Sequence, residues 1–177
     1  FWDLGRKDAM VIVFRQQVGE YWHYIDYWEK SGSDLPEVAK MLHEKPYTYG
    51  KHVVPHDAKV TELGSGLTRV ETLLKLGIRT QVQKKQYVDE RIQATRIRLR
   101  ESKFDAVKCE RLLDCLANYQ KEWDSKAMRF NLKPKHDWSS NGADAFGYSA
   151  LDDRPGISDR QRSRDLPRMA VMNYNDI

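Results

Sequence analysis

The sequence predicts a mixed α/β domain, with a central sheet of about five main strands, helices on both faces and a β-hairpin excursion. Three observations lead there. Strand-like segments open the chain in close succession, helical and strand patterns then alternate, and further helical segments close it.

The first of these elements is "FWDLG", a short strand carrying Asp3. "AMVIVFRQ", residues 9–16, is apolar at six consecutive positions, as a strand covered on both faces must be. "YWHYIDYWEK" follows the turn at Gly19 and is rich in β-forming aromatics. Residues 1–28 therefore read as a three-stranded meander. "SGSDLPEVAKMLHEK" gives a loop and a helix, capped by Ser33 or Asp34, with Pro36 suited to the first turn. "HVVPHDA" is a short fourth strand ending at Pro55. "TRVETLLKLG" is a helix closed by Gly77, and "IRTQVQ" is the fifth strand. Two helices are expected near residues 88–100 and 106–119, the second aligning Cys109, Leu112, Leu113 and Leu116 on one stripe. "EWDSKAMRFNLKPKHDW" reads as the hairpin excursion and "SSNGADAFGYSAL" as the last helix. The polar stretch 152–177, with four arginines between Arg154 and Arg164, reads as a flexible tail, leaving one domain over 1–151.

Composition narrows the class. A chain of 177 residues, 40% hydrophobic and 32% charged, fits one soluble domain with a proper core. No apolar run approaches the ~20 residues needed to span a bilayer, so no membrane role is expected. No secretory signal is visible, and the abrupt start on a strand suggests a fragment of a larger protein. Cys109 and Cys115 read as reduced core thiols. The net charge of +4 mildly favours a polyanionic partner.

Three carboxylates stand out. An ionised Asp3 inside a buried strand is costly unless it is paired or binds a metal. Strand alternation sends Trp2 and Leu4 to the opposite face. Asp57 lies just past the fourth strand, where ligands of open α/β sheets gather. Asp144 sits at the border of an apolar stripe formed by Ala143, Phe146 and Ala150. Carboxylates gathered from distant elements repel one another, so their clustering implies a divalent cation. Two such ions ~3.5–4 Å apart suit phosphodiester hydrolysis. Each aspartate alone also reads as a cap or an exposed turn residue, Asp3 fitting that reading least, and the residues by themselves support a metal site and nothing finer.

Other patterns are excluded or secondary. "GSGLTR" lacks the Gly-Lys-Ser/Thr ending of a P-loop, so no ATP site is expected. No Ser-His-Asp or Cys-His signature has local support. His56, just before Asp57, is a candidate assistant, and His136 a weaker one. Lys84, Lys85, Arg91, Arg96, Arg98 and Arg100 are candidate phosphate contacts, although a solvated helix face explains most of them equally well.

Four separated blocks then carry a family resemblance: "WDLGRKDAMVIVFRQ", "YGKHVVPHDA", "LGSGLTRVETLLKLGI" and "HDWSSNGADAFGYSAL". In this order they cover most of residues 1–151, and together the chain resembles the C-terminal nuclease domain of a tailed-bacteriophage terminase large subunit. The resemblance implies an RNase H-like fold and a nuclease site built from Asp3, Asp57 and Asp144. Asp137 is implied as a less certain fourth metal ligand, two turns before Asp144 if helical. Asp8 matches a recurrent acid of the family, and Asn141 stands where relatives often carry His. Gly5 is expected to leave room for a metal or a DNA backbone. The implied cofactors are Mg²⁺ or Mn²⁺, two ions in number. The implied activity is endonucleolytic cutting of concatemeric viral double-stranded DNA in the host cytoplasm. The implied partners are that DNA, the ATPase domain of the same protein, the small terminase subunit and the portal. Two alternatives stay open: another RNase H-like nuclease, such as a junction resolvase or transposase core, and a catalytically silent module that docks on capsid or motor.

Overall fold

The structure is a computed structural model that describes residues 1–5, 8–62 and 64–152. The main sheet has four strands in the order β1-β2-β3-β6, with β1 spanning Trp2–Asp3, β2 Ala9–Val18, β3 Tyr21–Ser31 and β6 Ser102–Phe104. The expected meander is present: β1 and β3 both pair antiparallel with β2, in registers that set Asp3 opposite Val11 and Ile12 opposite Trp28. A parallel pair follows, β4 (His52–Val54) with β5 (Thr80–Val82). It stands beside β1, where the Trp2 and His52 rings meet edge-on at 5.9 Å. The strands of the expected central sheet are thus divided between two hydrogen-bonded groups.

β6 was not anticipated. It has three residues, too few for an alternation pattern, and exists because its backbone pairs in parallel with Trp22–Tyr24 of β3. β7 (Lys121–Asp124) and β8 (Arg129–Pro134) form the expected hairpin.

Among the described residues five α-helices complete the domain: α1 (Leu35–Glu44), α2 (Arg69–Lys75), α3 (Val88–Leu99), α4 (Glu110–Asn118) and α5 (Ser140–Ala150). Asp34, not Ser33, caps α1, accepting from the Glu37 amide at 2.9 Å. Thr68 and Glu71 form a reciprocal capping box on α2. That helix closes at Gly77, whose φ of 83° suits glycine, as the Ile78 amide returns to the Leu73 carbonyl at 2.8 Å. On α4 the expected stripe shifts. Cys109 is the residue before the helix, Leu112 and Cys115 are buried, and Leu113 is exposed. Both cysteines are free thiols.

The core has two halves, and β2 divides them. Met10, Ile12 and Phe14 join Trp2, Leu4 and the apolar faces of α1 and α2 on one side. Val11 and Val13 join Tyr24, Leu112 and Phe146 on the other. The Tyr24 ring lies 4.7 Å from Phe146 and 5.0 Å from Phe104. α5 is nearly all buried because its residues are small. A Cβ on Gly142 would come within 2.7 Å of the Cys115 sulfur and 2.9 Å of the Tyr27 hydroxyl. Asn141 is buried and donates to the Ala9 carbonyl at 3.3 Å, a structural bond between α5 and the start of β2.

Among the described residues, no helix is long and apolar enough to cross a membrane. The expected tail lies outside the described residues except for Asp152, which Arg15 holds through an ion pair at 3.1 Å.

Candidate active site

Alternation along β1 places Trp2 and Leu4 in the α1–α2 half of the core, so Asp3 turns toward α5. There it is half-buried. Loss of hydration is the main cause that drives its carboxyl up to about 7, and the neighbouring charge of Asp144 adds to the rise. Arg91 opposes the shift, while Asp57 and Asp8 reinforce it. Three acids from separate parts of the chain therefore act on one carboxyl.

Asp144 faces the same space from α5. Burial raises its carboxyl, and Arg91 and Tyr119 restrain the rise. The Arg91 Nη2 donates to Asp144 Oδ1 at 2.8 Å, and the Tyr119 hydroxyl donates to the same oxygen at 3.0 Å. α5 itself makes the slot for this arginine. Asp144, Gly147 and Tyr148 share one face at helical spacing. A Cβ on Gly147 would lie 2.8 Å from the Arg91 Cδ, and the guanidinium stands 4.9 Å from the centre of the Tyr148 ring. The sequence reading offered Arg91 to DNA. The structure turns it inward, only 8% exposed, onto Asp144. Neither Arg91 as a counter-ion nor Tyr119 was anticipated. The mid-helix Gly147 was the available signal, since glycine there marks a close approach.

Asp57 lies in a short 3₁₀ turn, His56–Lys59, immediately after β4 and Pro55, and is exposed with His56 beside it. Asp137 is placed differently from the helical reading. α5 begins at Ser140, and the Asp137 carboxylate accepts from the Ser139 amide at 2.9 Å and the Ser139 hydroxyl at 2.6 Å. These bonds hold its carboxyl below the usual range, as suits a turn that starts a helix. Asp8 bonds His136 Nε2 at 3.1 Å, and His136 Nδ1 meets the Ser140 hydroxyl at 3.1 Å, so both tie the β1–β2 turn to the start of α5.

Gly5 also has a different cause from the one expected. A Cβ there would meet the Asp8 carbonyl oxygen at 2.8 Å, so the crowding comes from the chain's own backbone. Of the basic residues, Lys84, Lys85, Arg96 and Arg100 are exposed. Lys84 and Lys85 follow directly on Gln83, whose side chain donates to the Tyr148 carbonyl at 2.8 Å. Arg98 is buried and bonds Glu101 and the Ala150 carbonyl.

The donor set consists of carboxylate oxygens, the ligands that hard divalent cations prefer. Among the described residues, no three His, Cys, Asp or Glu are spaced to close on one ion, and Asp144 is instead engaged with Arg91. The chemistry of the site fits Mg²⁺ or Mn²⁺, with Arg91 standing as the cation inside it.

No family model and no curated protein matches the chain. Solved structures do. The large terminase nuclease domain of bacteriophage SPP1, solved with bound Mn, is similar with a TM-score of 0.63 at 14% identity, over 84% of this chain and 81% of that one. The large terminase of a thermophilic bacteriophage is similar with a TM-score of 0.61 at 14% identity, over 86% of this chain. The same protein in complex with ATP-gamma-S gives 0.61 at 16% identity. The chain spans 38% of the length of these thermophilic-phage structures. Its strand order, its helices on both faces and these likenesses establish one conclusion: the chain has the RNase H-like fold of a large terminase nuclease domain.

Proposed function

We propose that this chain is a metal-dependent endonuclease domain that cuts double-stranded DNA during viral genome packaging. The observation that carries the reading is the meeting of Asp3 from β1 with Asp144 from α5, joined electrostatically by Asp57, in a site where burial makes bare carboxylates costly. The SPP1 nuclease domain of the same fold, solved with bound Mn, supports a divalent ion.

Asp3, Asp57 and Asp144 are the residues that would hold the ions. When bound, Mg²⁺ or Mn²⁺ supplies Lewis-acid activation of water and neutralises charge on the phosphate. The chain's own residues do the rest. Asp3, whose carboxyl burial raises to about 7 and so leaves partly protonated at neutrality, would have to release that proton to hold a cation. Tyr119 and Arg91 fix the side chain of Asp144. Lys84 and Lys85, both exposed, grip the phosphate backbone without reading bases. The substrate on this reading is concatemeric viral DNA in the host cytoplasm. An ATPase domain of the same protein, a small terminase subunit and the portal are its partners.

The deciding experiment is nicking of a supercoiled plasmid with Mn²⁺, Mg²⁺ or EDTA. Cutting with either metal that stops with EDTA supports the reading, and absence of cutting in every condition overturns it. Preference for four-way junctions over linear DNA would point to a resolvase instead.

A further inference from the structure

The α3 helix is polar, and Arg96 on it and Arg100 at its C-cap lie in solvent, yet Arg91 is sunk into the carboxylate cluster. Its place is prepared by three residues of α5. Asp144 accepts the guanidinium, Gly147 leaves space for its stem and Tyr148 covers its face. Tyr119 donates to the same carboxylate oxygen, so Oδ1 already holds two donors.

We propose that Arg91 is a built-in cation that neutralises Asp144 while the site is short of metal and must yield that carboxylate before a second divalent ion can load. The inference rests on the metal-nuclease reading above. A guanidinium and a divalent ion cannot share one carboxylate in a partly desolvated site without strong mutual repulsion. Among the described residues neither Asp3 nor Asp57 is ion-paired, so the first ion loads there while Arg91 keeps Asp144. The second ion then competes with Arg91 directly. The Tyr148 ring, 4.9 Å from the guanidinium, is a second support for Arg91 that does not depend on Asp144. Arg91 is thus a positioning residue that sets the order and stoichiometry of loading.

The test is calorimetric titration of Mn²⁺ into the chain without DNA, comparing wild type with Arg91→Gln. Wild type is expected to take up one ion. Arg91→Gln is expected to take up two, or to bind at least tenfold more tightly. A merely structural Arg91 gives the opposite sign, because Asp144 would lose its support and binding would weaken. Wild-type binding that Arg91→Gln leaves unchanged or weakens overturns the inference alone. No binding by either protein overturns the metal-nuclease reading with it. Should Arg91→Gln fail to fold, wild type decides through the Arg91 Nε–Hε NMR signal, assigned by its proximity to the Tyr148 ring. That signal must shift as a second equivalent of Mg²⁺ is added, and a signal unmoved to saturation overturns the inference.

Discussion

Asn141 donates to the Ala9 carbonyl at 3.3 Å, tying the first turn of α5 to the start of β2 where the two elements already pack through Val11, Val13 and Phe146. Asp144 sits three residues further along α5, and Asp3 lies opposite Val11 on the neighbouring strand. Two acids 141 positions apart in the chain are brought close enough by that packing for their charges to interact. Their mutual repulsion is part of what raises the Asp3 carboxyl to about 7.

Replacing Asp3 with Asn removes a proposed ligand while keeping the side chain's shape. Plasmid nicking in Mn²⁺ is expected to fall to background, with an unchanged far-UV circular dichroism spectrum. Full nicking by Asp3→Asn would remove Asp3 from the catalytic set. Asp144→Asn is expected to lose nicking as well, and to lose stability, because it leaves the buried Arg91 without its anionic partner.

The raised carboxyl also predicts how stability depends on pH. In the unfolded chain Asp3 ionises near 3.8, and in the fold near 7. The folded state therefore holds a proton that the unfolded state has released between these values. Stability from this group is full below about pH 4 and is lost as pH rises toward 7, by up to about 4 kcal/mol. Denaturant unfolding of wild type and Asp3→Asn at pH 5 and pH 8 measures it. The variant is expected to be the more stable protein at pH 8, with the difference shrinking at pH 5.

Divalent ions should reverse that loss. A ligand that binds only the folded state at about 100 times its Kd adds about 2.7 kcal/mol, or roughly 5–10 °C in Tm for a domain of this size. Mn²⁺ is expected to raise the melting temperature more at pH 8 than at pH 5, since ligation needs the ionised carboxylate. EDTA should abolish the rise, and Asp3→Asn should lack most of it.

Gly142 tests the packing that positions α5. Alanine there would force a methyl group to within 2.7 Å of the Cys115 sulfur. Overpacking of this kind costs about 1–3 kcal/mol, read as a lower urea midpoint with an unchanged slope. An unaffected midpoint would mean that α5 is free to move away from α4.

On the proposed reading Lys84 and Lys85 hold phosphates, not bases. Replacing both with Ala should weaken binding to any duplex alike and lower the salt dependence of log K by about 2. Fluorescence anisotropy of two unrelated duplexes across a salt series measures both quantities. An unchanged salt slope would place DNA elsewhere on the surface.

Much of the architecture was legible in the primary structure, because the controlling signals are local. "AMVIVFRQ" can only be a strand buried on both faces, and its residues do divide between the two halves of the core. Asp34 and Thr68 cap helices through bonds to residues three positions on. Gly77 ends α2 because its backbone adopts a conformation that side chains disfavour. β6 escaped notice because its pairing with β3 joins residues 80 positions apart and leaves no periodic trace in three residues.

The acids themselves were visible as misfits: Asp3 in an apolar strand, Asp57 past a strand end, Asp144 beside an apolar stripe. The sequence by itself determined the faces of Asp3 and Asp144, since alternation and helical spacing fix them, and it set Asp57 just past a strand end. Only the tertiary structure decided their surroundings. It moved Asp137 off the helix and into the turn that begins it, filled the space beside Gly5 with the chain's own backbone, and drew Arg91 out of the exposed basic set onto Asp144. The reason is physical. A side chain's charge environment depends on which distant elements exclude water around it, and that is settled when α3, α5 and β1 pack together.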